Sequence, residues 1–430
     1  MRILFTTYSD RSLLLSMVPL AWALRSAGHD VRVASTPNLT EVITNAGLPA
    51  VPIGRDDGFS RVLGARPASL LTGLLQPYDV AAAPERATWE YLRSGYESIV
   101  PWWHKMANVP MIPDLVDFAR QWRPHLVLWE PTTFAGAIAA EASGAAHGRL
   151  LWSVDVFGVT REHYARLKAG RTDAPDPLAE WLGTYADRYG FAFTEELITG
   201  SFTIDQLPDS MRMEARLRYL PMQYMPYGGP ASVPKWLRTP PARPRVGLTL
   251  GITSIARFGS YNVEVRELLD ALSDLDIEIV ATIAEEEQHK LGSVPGNTRL
   301  IPYVPLQALA PTCSALIQHG GPGTLLTTAR HAVPQLILPW EFDAPELARR
   351  FAAQGAGISV EASRVNASTV RESLLKLLEE RSFQEAAVRL RDEMRKQPTP
   401  LDLVPVLEDL AMSSASAASG SPPSRIPGTP

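Results

Sequence analysis

The chain lacks the features that mark three common classes of protein. It has one cysteine among 430 residues, Cys313, which excludes an internal disulfide and suits a reducing compartment. Its formal net charge is −5, without the basic excess typical of nucleic-acid-binding proteins. No apolar run approaches the roughly 20 residues that span a bilayer, and the first residues, MRILFTTYSD, lack the apolar stretch of a signal peptide. These absences predict a cytoplasmic protein with neither a membrane span nor a nucleic-acid partner.

Two widespread nucleotide-binding motifs are also missing. The sequence contains no G-x-x-x-x-G-K-[ST], which excludes a P-loop nucleotide triphosphatase. The segment after the first apolar run reads TTYSDRS rather than G-x-G-x-x-G, which disfavours an NAD-dependent oxidoreductase. A nucleotide, if one binds, must use a different loop.

Strand and helix patterns alternate in both halves of the chain. Apolar runs followed by helical spacing predict two doubly wound, Rossmann-like α/β domains. The helix predicted at Met17–Ala27 ends at Gly28, and a strand is predicted at Leu150–Val154. Because ligands bind beyond the carboxyl ends of parallel strands, two such domains facing each other predict a functional cleft between them.

Proline is over-represented, because 37 of the 430 residues are proline and the usual share is about 5%. A proline cluster lies between the two halves, and the C-terminus is rich in small polar residues that cannot bury enough surface to offset ordering. The predicted divisions are an N-terminal domain at 1–217, a linker at 218–244, a second domain at 245–395, a segment at 396–411 that packs back on the first domain, and a disordered tail at 412–430.

The most informative loop reads HGGPGT, from His319 to Thr324. Its glycines allow a close approach of the backbone to a ligand, and Thr324 is predicted to cap a helix at Leu325–His331. A helix N-terminus attracts an anion, and the His319 ring adds a donor or a full charge, so the loop predicts a phosphate or diphosphate site. The alternative is that the glycines only make a tight turn.

A second strand, PQLIL, ends shortly afterwards in the turn Trp340-Glu-Phe-Asp343. A carboxylate and an aromatic ring next to a phosphate site offer a sugar its hydroxyl acceptor and its apolar contact. Asp343 could instead cap a helix predicted at Pro345–Ala353, and one residue can do both.

These segments together resemble a known family. HGGPGT, RHAVPQLILP, Asp343 and the GAGI at 355–358 are similar to the nucleotide-sugar signature of GT-B glycosyltransferases of glycosyltransferase family 1. The segments WEPTTF and LTLGITS further resemble the bacterial macrolide- and anthracycline-type deoxysugar and aminosugar transferases. The resemblance covers residues 1 to 410.

The resemblance implies a dTDP-sugar donor, a hydrophobic polyketide-type aglycone and inversion at the anomeric carbon. Neither a metal nor a cofactor is expected, because the phosphate loop has no D-x-D-like carboxylate pair and His319 with the helix dipole can offset the diphosphate charge instead. The resemblance assigns the diphosphate to the glycine-rich loop and the sugar to the acidic turn. The loop after the first strand of the second domain would flank the nucleotide, and two further residues, Tyr303 and Val304, would line its nucleobase. The donor-binding residues so implied are His319, Gly321, Gly323, Thr324, Thr253, Ser254, Tyr303, Val304, Trp340 and Asp343.

Two positions depart from the family pattern. Ala344 stands where glutamine usually follows the acidic residue, which suits a donor sugar with few hydroxyls. Leu13 stands where inverting members usually carry the histidine base, so a base elsewhere within hydrogen-bond reach of the acceptor is desirable. A phenolic or amide-like acceptor, attack through carbon, or a transition state with advanced leaving-group departure would relax the need for a strong base. The candidates are Asp10, Glu130 and Asp155, each of which could instead be a solvated or capping carboxylate. The alternative function is a catalytically silent GT-B protein that supports another transferase.

Aromatic residues are dense between Asp56 and Met111, and this density fits either an apolar acceptor site or ordinary helix packing. The aromatic residues concerned are Tyr78, Trp89, Tyr91, Tyr96, Trp102 and Trp103. The resemblance also implies, for aminosugar transfer, a helper protein similar to a cytochrome P450 without its haem ligand, bound to the N-terminal domain.

Overall fold

The computed structural model describes residues 1–56, 58, 62, 72–171, 173–251, 261 and 263–419, with side chains up to Ser413. Two parallel sheets form the two domains, and the order of strands in each is that of a doubly wound fold. The predicted fold class is therefore confirmed. None of the helices in this part of the chain combines the length and apolar character that a membrane crossing requires.

The N-terminal sheet has seven strands in the order β3-β2-β1-β4-β5-β6-β7. The strands are β1 Arg2–Thr6, β2 Asp30–Ser35, β3 Ala50–Pro52, β4 Leu126–Trp129, β5 Ala146–Leu150, β6 Thr203–Asp205 and β7 Tyr219–Pro221. The helices are α1 Arg11–Ser26, α2 Thr40–Asn45, α3 Trp89–Ile99, α4 Met106–Asn108, α5 Ile112–Trp122, α6 Phe134–Ser143, α7 Val156–Lys168, α8 Pro177–Tyr189 and α9 Glu196–Thr199.

The C-terminal sheet has six strands in the order β10-β9-β8-β11-β12-β13. The strands are β8 Arg245–Thr249, β9 Glu278–Thr282, β10 Thr298–Ile301, β11 Ala315–Gln318, β12 Gln335–Ile337 and β13 Gly357–Ser359. The helices are α10 Val265–Ala271, α11 Glu285–Leu291, α12 Leu306–Leu309, α13 Pro322–Ala329, α14 Ala344–Ala353, α15 Ala367–Glu379, α16 Arg381–Lys396 and α17 Leu403–Ser419.

The fifth strand is not where the apolar pattern places it. It runs over Ala146–Leu150 instead of Leu150–Val154, and its sequence, AHGRL, contains two ionisable residues. Arg149 is nevertheless buried, because its guanidinium donates to Asp155 at 3.1 and 2.7 Å and to Thr203. Pairing of this kind makes burial of a charge tolerable, and one of the two partners, Thr203, lies 54 residues away in the sequence.

The chain between and beyond the two domains also differs from the predicted divisions. Strand β7 lies inside the stretch assigned to the linker, yet it pairs with β6 as part of the first sheet. Helix α17 packs on the N-terminal domain, where Leu403, Val404 and Leu407 join the core cluster of Ile3. Residues 412–419 of the expected disordered tail are helical, and residues 420–430 lie outside the described part.

The packing of α17 predicts a contrast between two positions on the same helix. Leu407 is fully buried, whereas Met412 is 58% exposed. We expect Leu407→Ala to lower the free energy of unfolding by about 2–5 kcal/mol, because a buried side chain is lost and a cavity remains. Met412→Ala should change it by less than about 0.5 kcal/mol. Urea denaturation of both variants tests this, and equal losses would contradict the packing.

Candidate functional site

One cavity of about 360 Å³ lies between the carboxyl ends of the two sheets. Both domains line it. The N-terminal domain contributes Tyr8, Asp10, Arg11, Ser12, Leu13, Leu75, Trp102, Trp103 and Trp152, and the C-terminal domain contributes Tyr303, Val304, His319, Gly321, Gly323, Thr324, Trp340, Glu341, Phe342, Asp343 and Ala344, among others. All described donor-binding residues implied by the resemblance therefore meet in one place. Thr253 and Ser254 lie outside the described residues.

The HGGPGT loop joins β11 to α13. Helix α13 begins at Pro322 with Gly321 as its N-cap, three residues earlier than expected, so Thr324 belongs to the first turn and does not cap it. The first intrahelical hydrogen bond runs from the Leu325 N–H to the Gly321 carbonyl at 3.0 Å. The N–H groups of Gly323 and Thr324 have no acceptor within the helix and lie at the cavity, which suits an anion.

Two glycines are required by the position of the His319 ring. A Cβ on Gly321 would lie 2.5 Å from Nε2 of His319, and one on Gly251 would lie 2.6 Å from the same ring. Gly251 also has a φ of +76°, in the left-handed region that favours glycine. The glycines therefore make room for the histidine as well as for a ligand.

A pair of glutamines that the sequence analysis did not single out holds the loop from behind. Gln318 accepts the Gly320 N–H at 2.7 Å and donates to Gln335 at 3.0 Å. Gln335 in turn donates to the Leu325 carbonyl at 3.1 Å. Both side chains are fully buried, and burial without partners would be costly, so this network fixes the loop relative to the sheet. The signal in the sequence was a glutamine inside each of two apolar strands.

His319 is neutral at physiological pH. Burial lowers its pKa to about 4, and a main-chain hydrogen bond with Thr249 opposes this shift. Of the two forms that the sequence left open, the ligand-free site therefore favours the neutral ring. A neutral imidazole still offers one ring N–H to a phosphate oxygen.

The lowered pKa of His319 predicts a pH dependence of stability. As pH falls, the unfolded chain takes up the proton near the usual value of 6.5, while the folded chain takes it up only near 4. The stabilising contribution is thus complete above pH 6.5 and is lost on acidification. When the pH is lowered from about 7.5 to about 5, the free energy of unfolding should fall by about 2 kcal/mol less in His319→Asn than in the wild type.

Urea denaturation at the two pH values measures this difference. The same substitution at His289, an exposed position on α11, is the control. If the free energy of unfolding fell by the same amount between the two pH values in His319→Asn and in the wild type, the His319 ring would be solvated in the folded protein.

The acidic turn Trp340–Asp343 forms the cavity wall next to the loop. Asp343 is 9% exposed, and its side chain makes no hydrogen bond that caps α14, so capping does not account for it. Tyr303 lies further along the wall, where its hydroxyl donates to the Gly228 carbonyl at 3.3 Å. Val304 beside it is buried.

Among the three candidate bases, only Asp10 lines the cavity. It is the N-cap of α1, and its Oδ1 accepts from the Ser12 N–H at 2.8 Å and the Ser12 hydroxyl at 2.6 Å. Helix α1 starts at Arg11, so Leu13 lies in its first turn, and not in a loop, while its side chain still lines the cavity. Capping and an exposed face toward the ligand are compatible for a carboxylate with two oxygens.

Glu130 and Asp155 serve other purposes. Glu130 is enclosed beneath the turn after β4, where it accepts hydrogen bonds from the Thr132 N–H at 2.8 Å and from the Thr133 hydroxyl. Burial raises its pKa to about 7, against the effect of those hydrogen bonds. Asp155 is fully buried, pairs with Arg149 and caps α7. Neither carboxylate lines the cavity, which argues against Glu130 as a base.

The aromatic segment divides between the cavity and the domain core. Trp102 and Trp103 line the cavity from a π-helical stretch, Val100–Lys105, whereas Trp89 and Tyr96 pack against α7 and the domain core. Behind Trp103, the Tyr78 hydroxyl contacts Nε2 of His104 at 2.5 Å. Trp102, Trp103 and Trp152 together are called the aromatic wall below.

A cluster of Glu141, His147 and Glu196 has the ligand spacing of a metal site. However, the Trp129 indole N–H donates to Nδ1 of His147 at 3.2 Å, so the neutral ring carries its proton on Nε2. That nitrogen donates to Glu141 at 3.1 Å. The lone pair that a metal would need at Nε2 is thus absent in this tautomer, and the cluster is better described as a hydrogen-bonded pair.

Comparison with known families gives two matches. The family model described as "Erythromycin biosynthesis protein CIII-like, N-terminal domain" matches residues 22–251. The corresponding C-terminal-domain model matches residues 266–410. Together they span the N-terminal sheet from α1 onward, most of the C-terminal sheet and the start of α17.

Individual relatives match over almost the whole chain. The 10-deoxymethynolide desosaminyltransferase of Streptomyces venezuelae is 45% identical over 419 residues, covering 96% of this chain and 97% of that protein. The aklavinone 7-beta-L-rhodosaminyltransferase of Streptomyces galilaeus is 44% identical, covering 95% and 96%. The crystal structure of the glycosyltransferase VinC in complex with dTDP has a TM-score of 0.86 at 39% identity, covering 96% of this chain and 100% of that one.

Proposed function

The chain belongs to the erythromycin biosynthesis protein CIII-like family of GT-B glycosyltransferases, and on that premise we propose that it moves a deoxysugar or aminosugar from a dTDP-sugar to a polyketide-type aglycone in antibiotic biosynthesis. Relatives are named for desosaminyl and rhodosaminyl transfer, and one similar structure is a complex with dTDP. We place this activity in the cytoplasm.

The observation that carries the proposal is that one cavity is built from two unlike halves. Its C-terminal half has the HGGPGT helix N-terminus and the acidic turn, which suit a diphosphate and a sugar. Its N-terminal half has the aromatic wall and a carboxylate, which suit an apolar acceptor with a hydroxyl group. A transferase requires this arrangement because both substrates must meet at one carbon.

The donor is proposed to lie along the C-terminal wall. Tyr303 and Val304 contact the base, His319 and the α13 N-terminus bind the diphosphate, and Asp343 binds the sugar hydroxyls. Ala344 adjoins the sugar with no hydrogen-bonding group, in keeping with a deoxysugar. The helix N-terminus and the Arg11 guanidinium, which also lines the cavity, offset the charge of the diphosphate, so we propose transfer without a metal or cofactor.

The reaction is proposed to be a single displacement that inverts the anomeric carbon. The acceptor oxygen attacks that carbon, its bond to the diphosphate oxygen breaks, and the electron pair leaves with dTDP. Asp10 takes the proton of the acceptor hydroxyl. Ser12 fixes the Asp10 carboxylate through two hydrogen bonds, which restricts its orientation toward the cavity.

Leu13 supports one alternative, a catalytically silent protein that binds the donor and assists another transferase. The side chain lines the cavity at the place where the resemblance expects a histidine base. Turnover by the purified protein separates the two functions.

The direct test uses the substrates after which the relatives are named. Purified protein is incubated with dTDP-desosamine and 10-deoxymethynolide, or with dTDP-rhodosamine and aklavinone, with and without a P450-like helper protein. We expect glycoside and dTDP in equal amounts with at least one pair. Tight dTDP binding without any glycoside, helper included, would favour the silent protein.

A further inference from the structure

Phe342, at the centre of the acidic turn, has an unusual backbone conformation. Its φ is +41°, in the left-handed region, where residues other than glycine are uncommon and bulky ones are rare. Such a conformation persists only where surrounding contacts stabilise it, and it is common at ligand sites. The contacts of this turn therefore indicate what it does.

The ring of Phe342 crosses from the C-terminal domain into the N-terminal domain. Its centroid lies 5.1 Å from that of Trp103, 5.9 Å from Phe157 and 6.2 Å from Tyr78. All three partners are at least nine-tenths buried, and Trp103 belongs to the aromatic wall. One side chain of the sugar-binding turn is thus part of the acceptor half of the cavity.

The backbone of the same turn is attached to the N-terminal domain as well. The Gly73 N–H donates to the Trp340 carbonyl at 2.6 Å. Thr72 and Gly73 both form isolated β-bridges with Glu341. The turn is therefore held from one side by the backbone of residues 72–73 and from the other by aromatic packing.

We propose that Phe342 is a positioning and specificity-determining residue, whose ring separates the donor sugar from the aromatic wall and keeps water away from the anomeric carbon. The proposal rests on the proposed glycosyl transfer and extends it. Phe342 lines the cavity directly beside Asp343, while its ring contacts Trp103 on the acceptor side. Only a residue that contacts both halves can form this partition.

The partition has a consequence for the choice of sugar. A sugar hydroxyl directed at an aromatic ring loses its hydrogen bonds to water and gains none, which disfavours it. Phe342 and Ala344 together present the sugar with two neighbouring residues that cannot hydrogen-bond through their side chains. We infer that the face of the sugar next to them lacks hydroxyl groups.

The partition also limits a side reaction. Without the ring, water takes the place of the acceptor: its oxygen attacks the anomeric carbon, the bond to the diphosphate oxygen breaks, dTDP leaves with the electron pair, and the proton passes to Asp10. The products are free sugar and dTDP. Exclusion of water from a closed site prevents such hydrolysis.

The experiment compares dTDP release with glycoside formation for wild type, Phe342→Ala and Phe342→Leu. It uses whichever dTDP-sugar and aglycone pair gives glycoside with the wild type, with the helper protein where that is needed. In Phe342→Ala we expect transfer to fall roughly 10- to 100-fold and dTDP released per glycoside to rise by a similar factor. Phe342→Leu, which keeps apolar bulk, should lie between the two. The ratio of transfer from that dTDP-deoxysugar to transfer from dTDP-glucose should fall from the wild type through Phe342→Leu to Phe342→Ala.

Two measurements separate this role from a loss of folding. The affinity for dTDP alone should be unchanged in Phe342→Ala, because the proposed nucleotide and diphosphate contacts are made by Tyr303, Val304 and the loop at His319. Phe118→Ala is the control: Phe118 is also partly buried, but it stacks on Trp122 away from the cavity. Wild-type transfer with an unchanged ratio in both Phe342 variants would overturn the inference alone. Absence of transfer by the wild type with every tested pair, with and without the helper protein, would remove the proposed function and the inference together.

Discussion

Asp10→Asn should lower the turnover number of glycosyl transfer roughly 10²- to 10⁴-fold, the usual contribution of a general base. Asparagine cannot accept the proton of the acceptor hydroxyl. It is, however, as good an N-cap as aspartate, so α1 should remain intact and the free energy of unfolding should change little. Initial rates of glycoside formation and urea denaturation measure the two effects on the same variant.

Glu130→Gln is the matched control, since it removes another candidate carboxylate of the N-terminal domain without changing the shape of the side chain. Because Glu130 is enclosed behind the Thr132–Thr133 turn and does not line the cavity, we expect its substitution to affect turnover far less. The opposite ranking, with full activity in Asp10→Asn and a large loss in Glu130→Gln, would assign the proton to Glu130 and refute the geometric argument.

The second large effect is expected on the binding of dTDP. His319→Ala should raise the Kd of dTDP about 10- to 100-fold, because hydrogen bonds to a charged group contribute about 1.5–3 kcal/mol. Gly321→Ala should weaken binding comparably although His319 is retained. The added methyl group would lie 2.5 Å from Nε2, so the ring must move away from the site.

Calorimetric titration or a thermal-shift series with dTDP, UDP, ADP and NAD measures these affinities. A ligand at about 100 times its Kd adds about 2.7 kcal/mol of stability, so its loss is readily detected. Gly183→Ala is the control, since a Cβ there meets no atom within 4 Å. If Gly321→Ala bound dTDP as tightly as the wild type, the ring would not need its present position.

The sequence predicted some parts of the site and missed others. The glycine-rich loop and the acidic turn were recognisable because their chemistry depends on residues that are close along the chain. The start of α13 was placed three residues late, because Thr324 is a good capping residue and only the structure shows that Gly321 and Pro322 begin the helix. The glutamine network behind the loop was missed, because Gln318 and Gln335 meet only when β11 and β12 pair.

By itself the sequence determined the two doubly wound domains, the family, and most of the residues that line the donor half of the cavity. Apolar runs and glycine-rich turns involve residues that are close together in the chain, so they can be recognised without a structure. Only the tertiary structure decided that AHGRL is a strand, that Asp10 rather than Glu130 lies at the cavity, and that Phe342 reaches the aromatic wall. Each of these depends on burial or pairing between residues distant in the chain, and burial of that kind is a property of the folded molecule.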